Sequence, residues 1–118
     1  MQFDKVIKGG TIVTASDTTV ADIGIIGEVI STIGLDLPDE GAQVIEAKGR
    51  YVFPGCVDVH THLDMPFGGT FSSDNYETGT AAAAWGGTTT LIDFAIQSRG
   101  AHLQEGLEAW HQKSQGNA

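Results

Sequence analysis

Two rhythms of hydrophobic and polar positions follow each other along this chain, and the change falls at Pro54-Gly55. In the first part, short apolar and β-branched runs are separated by turns that contain Gly, Asp or Pro. Strands at such close spacing are typical of a β-sandwich or a small barrel. The runs predict strands at residues 3–8, 11–14, 19–26, 29–33, 43–47 and 51–53, with a turn at Gly9-Gly10 between the first two. We therefore assign residues 1–53 to a β-sandwich segment.

After Pro54, predicted strands alternate with predicted helices. Residues 55–62 form a strand rich in apolar side chains, as expected of a strand that is covered on both faces. A loop that contains Pro and Gly follows this strand. Asp74, with Glu77 three residues later, predicts the start of a helix that ends at Gly86-Gly87.

The same unit then repeats, with a strand over residues 88–95 and a helix over residues 102–113. Leu103, Leu107 and Trp110 share one face of that helix. Strands that alternate with helices predict a parallel sheet, so the fold class is α/β. We assign residues 54–118 to the first two βα units of a TIM-like (βα)8 barrel. Such a barrel typically has eight units and about 250 residues, so we interpret this chain as the front end of a longer fold.

Composition narrows the classes of partner. The 118-residue chain has six Lys plus Arg against fifteen Asp plus Glu, a net charge of −9, and no basic cluster. Nucleic acid and membrane surfaces are therefore poor partners. The single cysteine, Cys56, excludes an intrachain disulfide and fits a reducing compartment. No signal peptide is visible and no apolar run approaches the roughly 20 residues of a membrane span, so a cytoplasmic protein is expected.

The candidate chemistry lies at the end of the strand over residues 55–62. Side chains two residues apart share a face of a strand, so Asp58, His60 and His62 line up. Two imidazoles and a carboxylate are potential metal ligands, and a Gly-rich loop that could admit a substrate follows them. A catalytic zinc typically has about three protein ligands, so the two histidines alone do not complete a site. Asp58 either supports an imidazole from behind or is a buried, hydrogen-bonded carboxylate.

Other polar and apolar candidates carry weaker signals. Asp93, near the end of the second strand, could point to the site, although a structural role is favoured. His102 and His111 on the last helix are expected to be solvated. Met65 and Phe67, in the loop after the histidines, either pack or contact substrate. The Gly-rich stretches lack the spacing and the Lys of a phosphate loop.

With these residues in view, the chain resembles the N-terminal portion of a cyclic amidohydrolase of the D-hydantoinase and dihydropyrimidinase group. The resemblance runs along the whole chain, although it covers only about the first quarter of such an enzyme. The motifs that carry it are Ile7-Lys8-Gly9-Gly10-Thr11-Ile12-Val13-Thr14, Val52-Phe53-Pro54-Gly55, Asp58-Val59-His60-Thr61-His62, Leu63-Asp64-Met65-Pro66-Phe67-Gly68-Gly69-Thr70 and Gly86-Gly87-Thr88-Thr89-Thr90.

The resemblance implies a β-sandwich built from both ends of the protein beside a metallo-dependent hydrolase barrel. It implies a centre of two divalent metal ions, usually zinc, in which His60 and His62 are ligands. The remaining ligands and the catalytic groups of the family lie on later strands, so no catalytic residue is expected in this segment. Met65 and Phe67 match hydrophobic positions of a loop that gates the substrate.

The implied reaction, part of pyrimidine catabolism in the dihydropyrimidinases, hydrolyses the cyclic amide bond of a hydantoin or a 5,6-dihydropyrimidine. A metal-activated hydroxide attacks the ring carbonyl and yields an N-carbamoyl amino acid. The family is commonly tetrameric, so a homo-oligomer is expected. The chain by itself is expected to be inactive, as a fragment or partial record of the enzyme. The alternative is a non-catalytic, dihydropyrimidinase-like binding or scaffold protein.

Overall fold

The computed structural model describes residues 2–118, so Met1, the first residue of the predicted β-sandwich segment, lies outside the described residues. The chain divides into two compact units, of which the first ends at Pro54 and the second is Gly55–Ala118. No helix among the described residues is long and apolar enough to cross a bilayer.

The first unit is a single sheet arranged around its first strand. This strand, β1, pairs antiparallel with β2, which pairs antiparallel with β3. Along its other edge β1 pairs in parallel with β4 and then with β5. The strands are β1 (Lys5–Val13), β2 (Thr18–Ile26), β3 (Val29–Gly34), β4 (Gln43–Glu46) and β5 (Tyr51–Val52). A sandwich needs a second sheet packed against the first, so the β-sandwich stays a prediction.

The predicted turn at Gly9-Gly10 is wrong, because β1 continues through these residues as one strand. Its pairing with β2 shifts register between Ile7 and Gly10, which marks a β-bulge. Gly9 has a φ of 65°, which a residue without Cβ adopts at little cost. Its amide donates a 2.7 Å hydrogen bond to the carboxylate of Asp22 on β2. The glycine pair therefore bends the strand without reversing it.

Asp22 is the buried carboxylate of this unit. Its second oxygen accepts from the Leu37 amide at 3.0 Å and lies 3.2 Å from Lys8 Nζ. Burial alone would raise the pKa of Asp22, but the hydrogen bonds from Gly9, Lys8 and Leu37 outweigh it and lower that pKa. The carboxylate thus holds the bulge and the loop after β3 in place. Beside it, the buried apolar side chains form a small core of Ile12, Ala21 and Ile23.

The second unit alternates strands and helices around a parallel pair. Its elements are β6 (Cys56–Thr61), β7 (Pro66–Phe67), β8 (Thr70–Phe71), α1 (Tyr76–Trp85), β9 (Thr88–Asp93) and α2 (Leu103–Ser114). The strands β6 and β9 pair in parallel, which confirms the parallel sheet predicted from the alternation. Within the predicted loop, β7 and β8 form a short hairpin. Gly68 and Gly69 make its turn with φ values of 58° and 82°, as a two-residue turn of this type requires.

The first helix begins one residue later than the sequence pattern indicates. Asn75 is its N-cap, and the Asn75 side chain accepts from the Thr78 amide at 2.9 Å. In return, Thr78 Oγ1 accepts from the Asn75 amide at 3.2 Å. Asp and Asn cap helices about equally well, so residue type does not discriminate between Asp74 and Asn75. The Asp74 carboxylate instead accepts from Thr78 Oγ1 at 3.1 Å.

Within the described residues, β6 and part of α2 are exposed. The strand β6 is not covered on both faces: Val57 and Val59 are 54% and 65% exposed, and Cys56 is exposed as well. Within this chain α1 packs against β9. The covering of both faces of β6 was predicted for a longer fold and stays a prediction. On α2, Trp110 is buried while Leu103 and Leu107 stay exposed. Trp110 has a partner surface in the cluster of Leu63 and Tyr76, with Met65, Leu91 and Ala109 packed around it.

Candidate metal centre

The two histidines lie together at the carboxyl end of β6. His60 is on the strand and His62 follows its last residue, Thr61. Their Nε2 atoms are 3.1 Å apart, and the ring planes are nearly perpendicular at 80°. The structure therefore brings the two imidazoles together, as their spacing in a strand predicts. Both histidines are exposed.

The separation of the two nitrogens fits a shared metal ion. Zinc–nitrogen distances are about 2.0–2.1 Å, so two imidazole nitrogens on one tetrahedral zinc lie about 3.3 Å apart. The observed 3.1 Å is close to that value. It also equals a hydrogen-bond distance between one ring as donor and the other as acceptor. The donor set, neutral nitrogen from two imidazoles, suits zinc and other transition metals.

The described residues supply only part of a metal site. No group of three or more His, Cys, Asp or Glu side chains within residues 2–118 is placed to hold a metal ion. Asp58, the third residue of the predicted face, binds the backbone amide of His60 at 3.1 Å rather than an imidazole. Its side chain is exposed, so the interpretation as a buried carboxylate is wrong. Its support of the metal pair stays a prediction, with the backbone of His60 as the group that it contacts.

Phe94 packs against both imidazoles. Its ring centroid lies 4.5 Å from that of His60 and 5.6 Å from that of His62, with tilted planes in each case. Phe94 directly follows β9, whose parallel pairing with β6 brings the ends of the two strands together. The sequence analysis missed this residue. The available signal was alternation, which places Phe94 on the opposite side of the chain from Asp93.

Asp93 joins the ends of β6 and β9 through hydrogen bonds. Both of its carboxylate oxygens lie 3.3 Å from the amide nitrogen of Leu63, the residue after His62. One oxygen is also 3.5 Å from Thr61 Oγ1 and the other accepts from the Tyr76 hydroxyl at 2.8 Å. These contacts support the structural role that the sequence favoured for Asp93.

Tyr76, the first residue of α1, is the second group that sequence reasoning missed. Its ring is buried against Leu63 and Trp110, and its hydroxyl points to Asp93. Burial, reinforced by the hydrogen bond to the carboxylate and its negative charge, raises the pKa of the Tyr76 phenol above its ordinary value. The phenol is therefore a stable hydrogen-bond donor at neutral pH.

The loop after the histidines separates the two predicted substrate contacts. Met65 is partly buried against the cluster of Leu63, Tyr76 and Trp110, and Phe67 is 75% exposed at the hairpin. Phe67 is thus free to contact a molecule from outside, whereas Met65 is committed in part to packing.

The base of the same loop is bound to α2. Lys113 Nζ donates to the Asp64 carbonyl at 2.6 Å and lies 3.6 Å from its carboxylate. The same ammonium lies 4.3 Å from the centroid of the Trp110 ring, a cation–π distance. Asp64 itself has a φ of 48°, a conformation uncommon for a residue with a side chain.

The remaining candidates lie away from the histidine pair. His102 precedes α2, where its amide donates to Glu105 at 3.1 Å, and His111 is exposed on the same helix. A cavity of about 730 Å³ lies between α1, β9 and the end of α2, lined partly by Ala81, Ala84 and Thr88. Neither His60 nor His62 borders it. Because ligands of parallel α/β sheets bind at the carboxyl ends of the strands, we do not assign this cavity to a substrate.

Comparison with known proteins shows the family to which this chain belongs. Residues 51–115 match the Amidohydrolase family, so the chain belongs to that family. It is 55% identical over 114 residues to a D-hydantoinase of Geobacillus stearothermophilus, a match that covers 97% of this chain and 24% of the relative.

The fold of this chain is also similar to solved structures of such enzymes. A crystal structure of a D-hydantoinase matches with a TM-score of 0.92 and 55% identity, over 97% of this chain and 25% of that one. Dihydropyrimidinase from Brevibacillus agri NCHU1002 matches with a TM-score of 0.92 and 54% identity at the same coverage. The chain thus spans about a quarter of the length of these relatives. The predicted resemblance to the hydantoinase and dihydropyrimidinase group is confirmed, as is a mixed α/β fold in which strands dominate.

Proposed function

We propose that this chain is the N-terminal part of a metal-dependent cyclic amidohydrolase that hydrolyses hydantoins or 5,6-dihydropyrimidines to N-carbamoyl amino acids. The observation that carries the proposal is the facing pair of His60 and His62 at the carboxyl end of β6, in a chain of the Amidohydrolase family. In (βα)8 enzymes that end of the strands carries the active site. Under this proposal the second unit is the beginning of such a barrel and residues 1–53 contribute to a β-sandwich.

The two histidines would hold one of two divalent metal ions, of which zinc suits the imidazole donors. A bound metal of this kind activates a water molecule and polarises the carbonyl that is attacked. The further ligands and the acid–base groups would come from residues outside this chain. Within it, Asp58 would hold the backbone of His60, since its carboxylate accepts from that amide.

The loop after the histidines would contact the substituent of the substrate ring. Phe67 offers an exposed apolar side chain close in sequence to the metal pair. Met65 would shape the wall behind it while it packs on the cluster of Leu63, Tyr76 and Trp110. The similarity to a D-hydantoinase and to a dihydropyrimidinase is almost equal, at 55% and 54% identity, so the proposal covers both substrate classes.

The test uses a protein of the length of these relatives that contains this chain. We expect it to bind zinc and to hydrolyse hydantoin or dihydrouracil, and we expect His62→Asn to lose both properties. His111→Asn, which changes an exposed histidine on α2, is the matched control and should retain both. A folded protein with no bound zinc and no hydrolysis of either compound would favour the non-catalytic scaffold protein instead. Sedimentation analysis of the same sample tests the expected homo-oligomer, a tetramer by resemblance to the family.

A further inference from the structure

The end of β9 contacts the histidine pair from two sides. Asp93 hydrogen-bonds to the backbone amide of Leu63 and lies 3.5 Å from Thr61 Oγ1, so it holds the residues immediately before and after His62. Phe94 contacts the rings of His60 and His62 themselves. Neighbouring side chains of a strand point to opposite faces, so Asp93 and Phe94 contact different parts of the segment that carries the histidines.

We propose that the end of β9 is the positioning element of the metal pair: Asp93 holds the Thr61 side chain and the Leu63 backbone amide, on either side of His62, and Phe94 restricts the rotation of both imidazoles. This inference rests on the proposed metal function of His60 and His62. Neither Asp93 nor Phe94 is proposed as a metal ligand. Phe94 acts on the imidazoles that would bind the metal, and Asp93 acts on the residues next to His62.

The backbone contact matters because His62 lies beyond the last residue of β6 and lacks the support of strand pairing. Thr61 is the last residue of β6 that pairs with β9, opposite Asp93. Leu63 is buried, so its amide needs a partner inside the protein, and the Asp93 carboxylate is that partner. The Tyr76 hydroxyl, at the start of α1, donates a 2.8 Å hydrogen bond to the same carboxylate and orients it.

The ring contact matters because, within the described residues, the two exposed imidazoles pack against each other and against Phe94. An imidazole on a strand can rotate about two side-chain bonds, and a metal ion tolerates only a narrow range of nitrogen positions. The Phe94 ring, tilted by 36° against His60 and by 48° against His62, occupies space into which either ring would turn. Groups that orient metal ligands in this way typically contribute about 10- to 100-fold to metal affinity.

The experiment uses a protein that contains this chain and has the length of the related enzymes. Its zinc affinity is measured by competition with a chromophoric chelator. The variants are Asp93→Ala, Asp93→Asn and Phe94→Leu. The visible spectrum of the cobalt-substituted protein reports the ligand geometry independently of activity. Asp22→Ala is the matched control for Asp93, because Asp22 also binds two backbone amides but lies in the first unit. Phe53→Leu, which changes an exposed phenylalanine, is the control for Phe94→Leu.

We expect Asp93→Ala and Phe94→Leu to weaken zinc binding by about 10- to 100-fold and to change the cobalt spectrum. Asp93→Asn should recover most of the affinity, because its amide oxygen still accepts from Leu63. Both controls should leave affinity and spectrum unchanged, whatever they do to the thermal midpoint. If Asp93→Ala does not fold, Phe94→Leu carries the test.

Unchanged affinity and spectrum in folded Asp93→Ala and Phe94→Leu proteins would overturn the inference while leaving the metal function intact. In the absence of Asp93→Ala, an unchanged Phe94→Leu protein would overturn it. An equal loss in Asp22→Ala would overturn it too, because the effect would then be general instability. A loss in Asp93→Asn as large as in Asp93→Ala would show that charge, not positioning, is responsible. If the His62→Asn protein bound zinc as tightly as the wild-type protein, the proposed function would be refuted, and the inference with it.

Discussion

Gly79 in α1 provides the sharpest test of how the second unit is packed. In an exposed helix interior, replacing Gly by Ala gains about 1 kcal/mol of stability. Gly79, however, is buried, and a Cβ on it would overlap the Cδ2 atom of Leu63 and lie 3.4 Å from Cδ1 and Cγ. Leu63 is only 8% exposed and packs between Tyr76 and Trp110. The Cδ2 atom of the leucine therefore has to shift when the methyl group is added, which disturbs the packing of Leu63 against Tyr76 and Trp110.

The magnitude follows from these two opposing effects. Overpacking a filled core costs about 1–3 kcal/mol, against the gain of about 1 kcal/mol from helix propensity. We therefore expect Gly79→Ala to destabilise the protein by about 1 kcal/mol. With Leu63→Ala already present, the clash disappears and the same substitution should stabilise by about 1 kcal/mol. The two sites are then coupled by about 2 kcal/mol, within the range for residues in contact.

Urea unfolding followed by tryptophan fluorescence measures all four proteins of this cycle, since Trp110 is buried in the same cluster whereas Trp85 is 92% exposed. Ala82→Gly, at an exposed position of the same helix, is the control and should cost about 1 kcal/mol by propensity alone. If Gly79→Ala stabilised the protein equally with Leu63 and with Ala at position 63, the packing argument would be refuted.

Four further predictions concern single contacts. Tyr76→Phe removes a hydrogen bond to a charged carboxylate and should cost about 1.5–3 kcal/mol in urea unfolding. Because the folded phenol has a raised pKa, wild-type stability should also fall above about pH 10, and Tyr76→Phe should reduce that fall. Lys113→Met should free the Asp64 backbone, seen as faster amide exchange in the loop. The pKa of Asp22 is lowered in the folded protein, so its carboxylate stabilises the fold above about pH 4 and this stabilisation is lost as pH falls. Asp22→Asn should therefore reduce the decrease of the thermal midpoint at acidic pH.

Some features of this protein followed from the sequence because they depend on near neighbours in the chain. The side chains of His60 and His62 meet because alternation in a strand brings residues two apart to one face. The parallel pairing of β6 and β9 follows from the alternation of strands with a helix. The helix start was predicted one residue early, at Asp74 instead of Asn75, since both residue types cap well.

Other features depend on residues far apart in the chain, so local patterns were insufficient. Gly9-Gly10 is equally suited to a turn and to a bulge, and the distant Asp22 carboxylate that binds Gly9 accompanies the bulge. The apolar stripe of α2 follows from helical periodicity, but which of its members is buried depends on where Leu63 and Tyr76 lie.

The same division applies to the candidate metal centre. The sequence by itself determined that two imidazoles share a face at the end of β6, because that is a property of strand geometry. Only the tertiary structure decided that Asp93 reaches the amide of Leu63 and that Phe94 packs on both rings. Those contacts join residues about 30 positions apart, and they form only when the ends of two parallel strands are brought together.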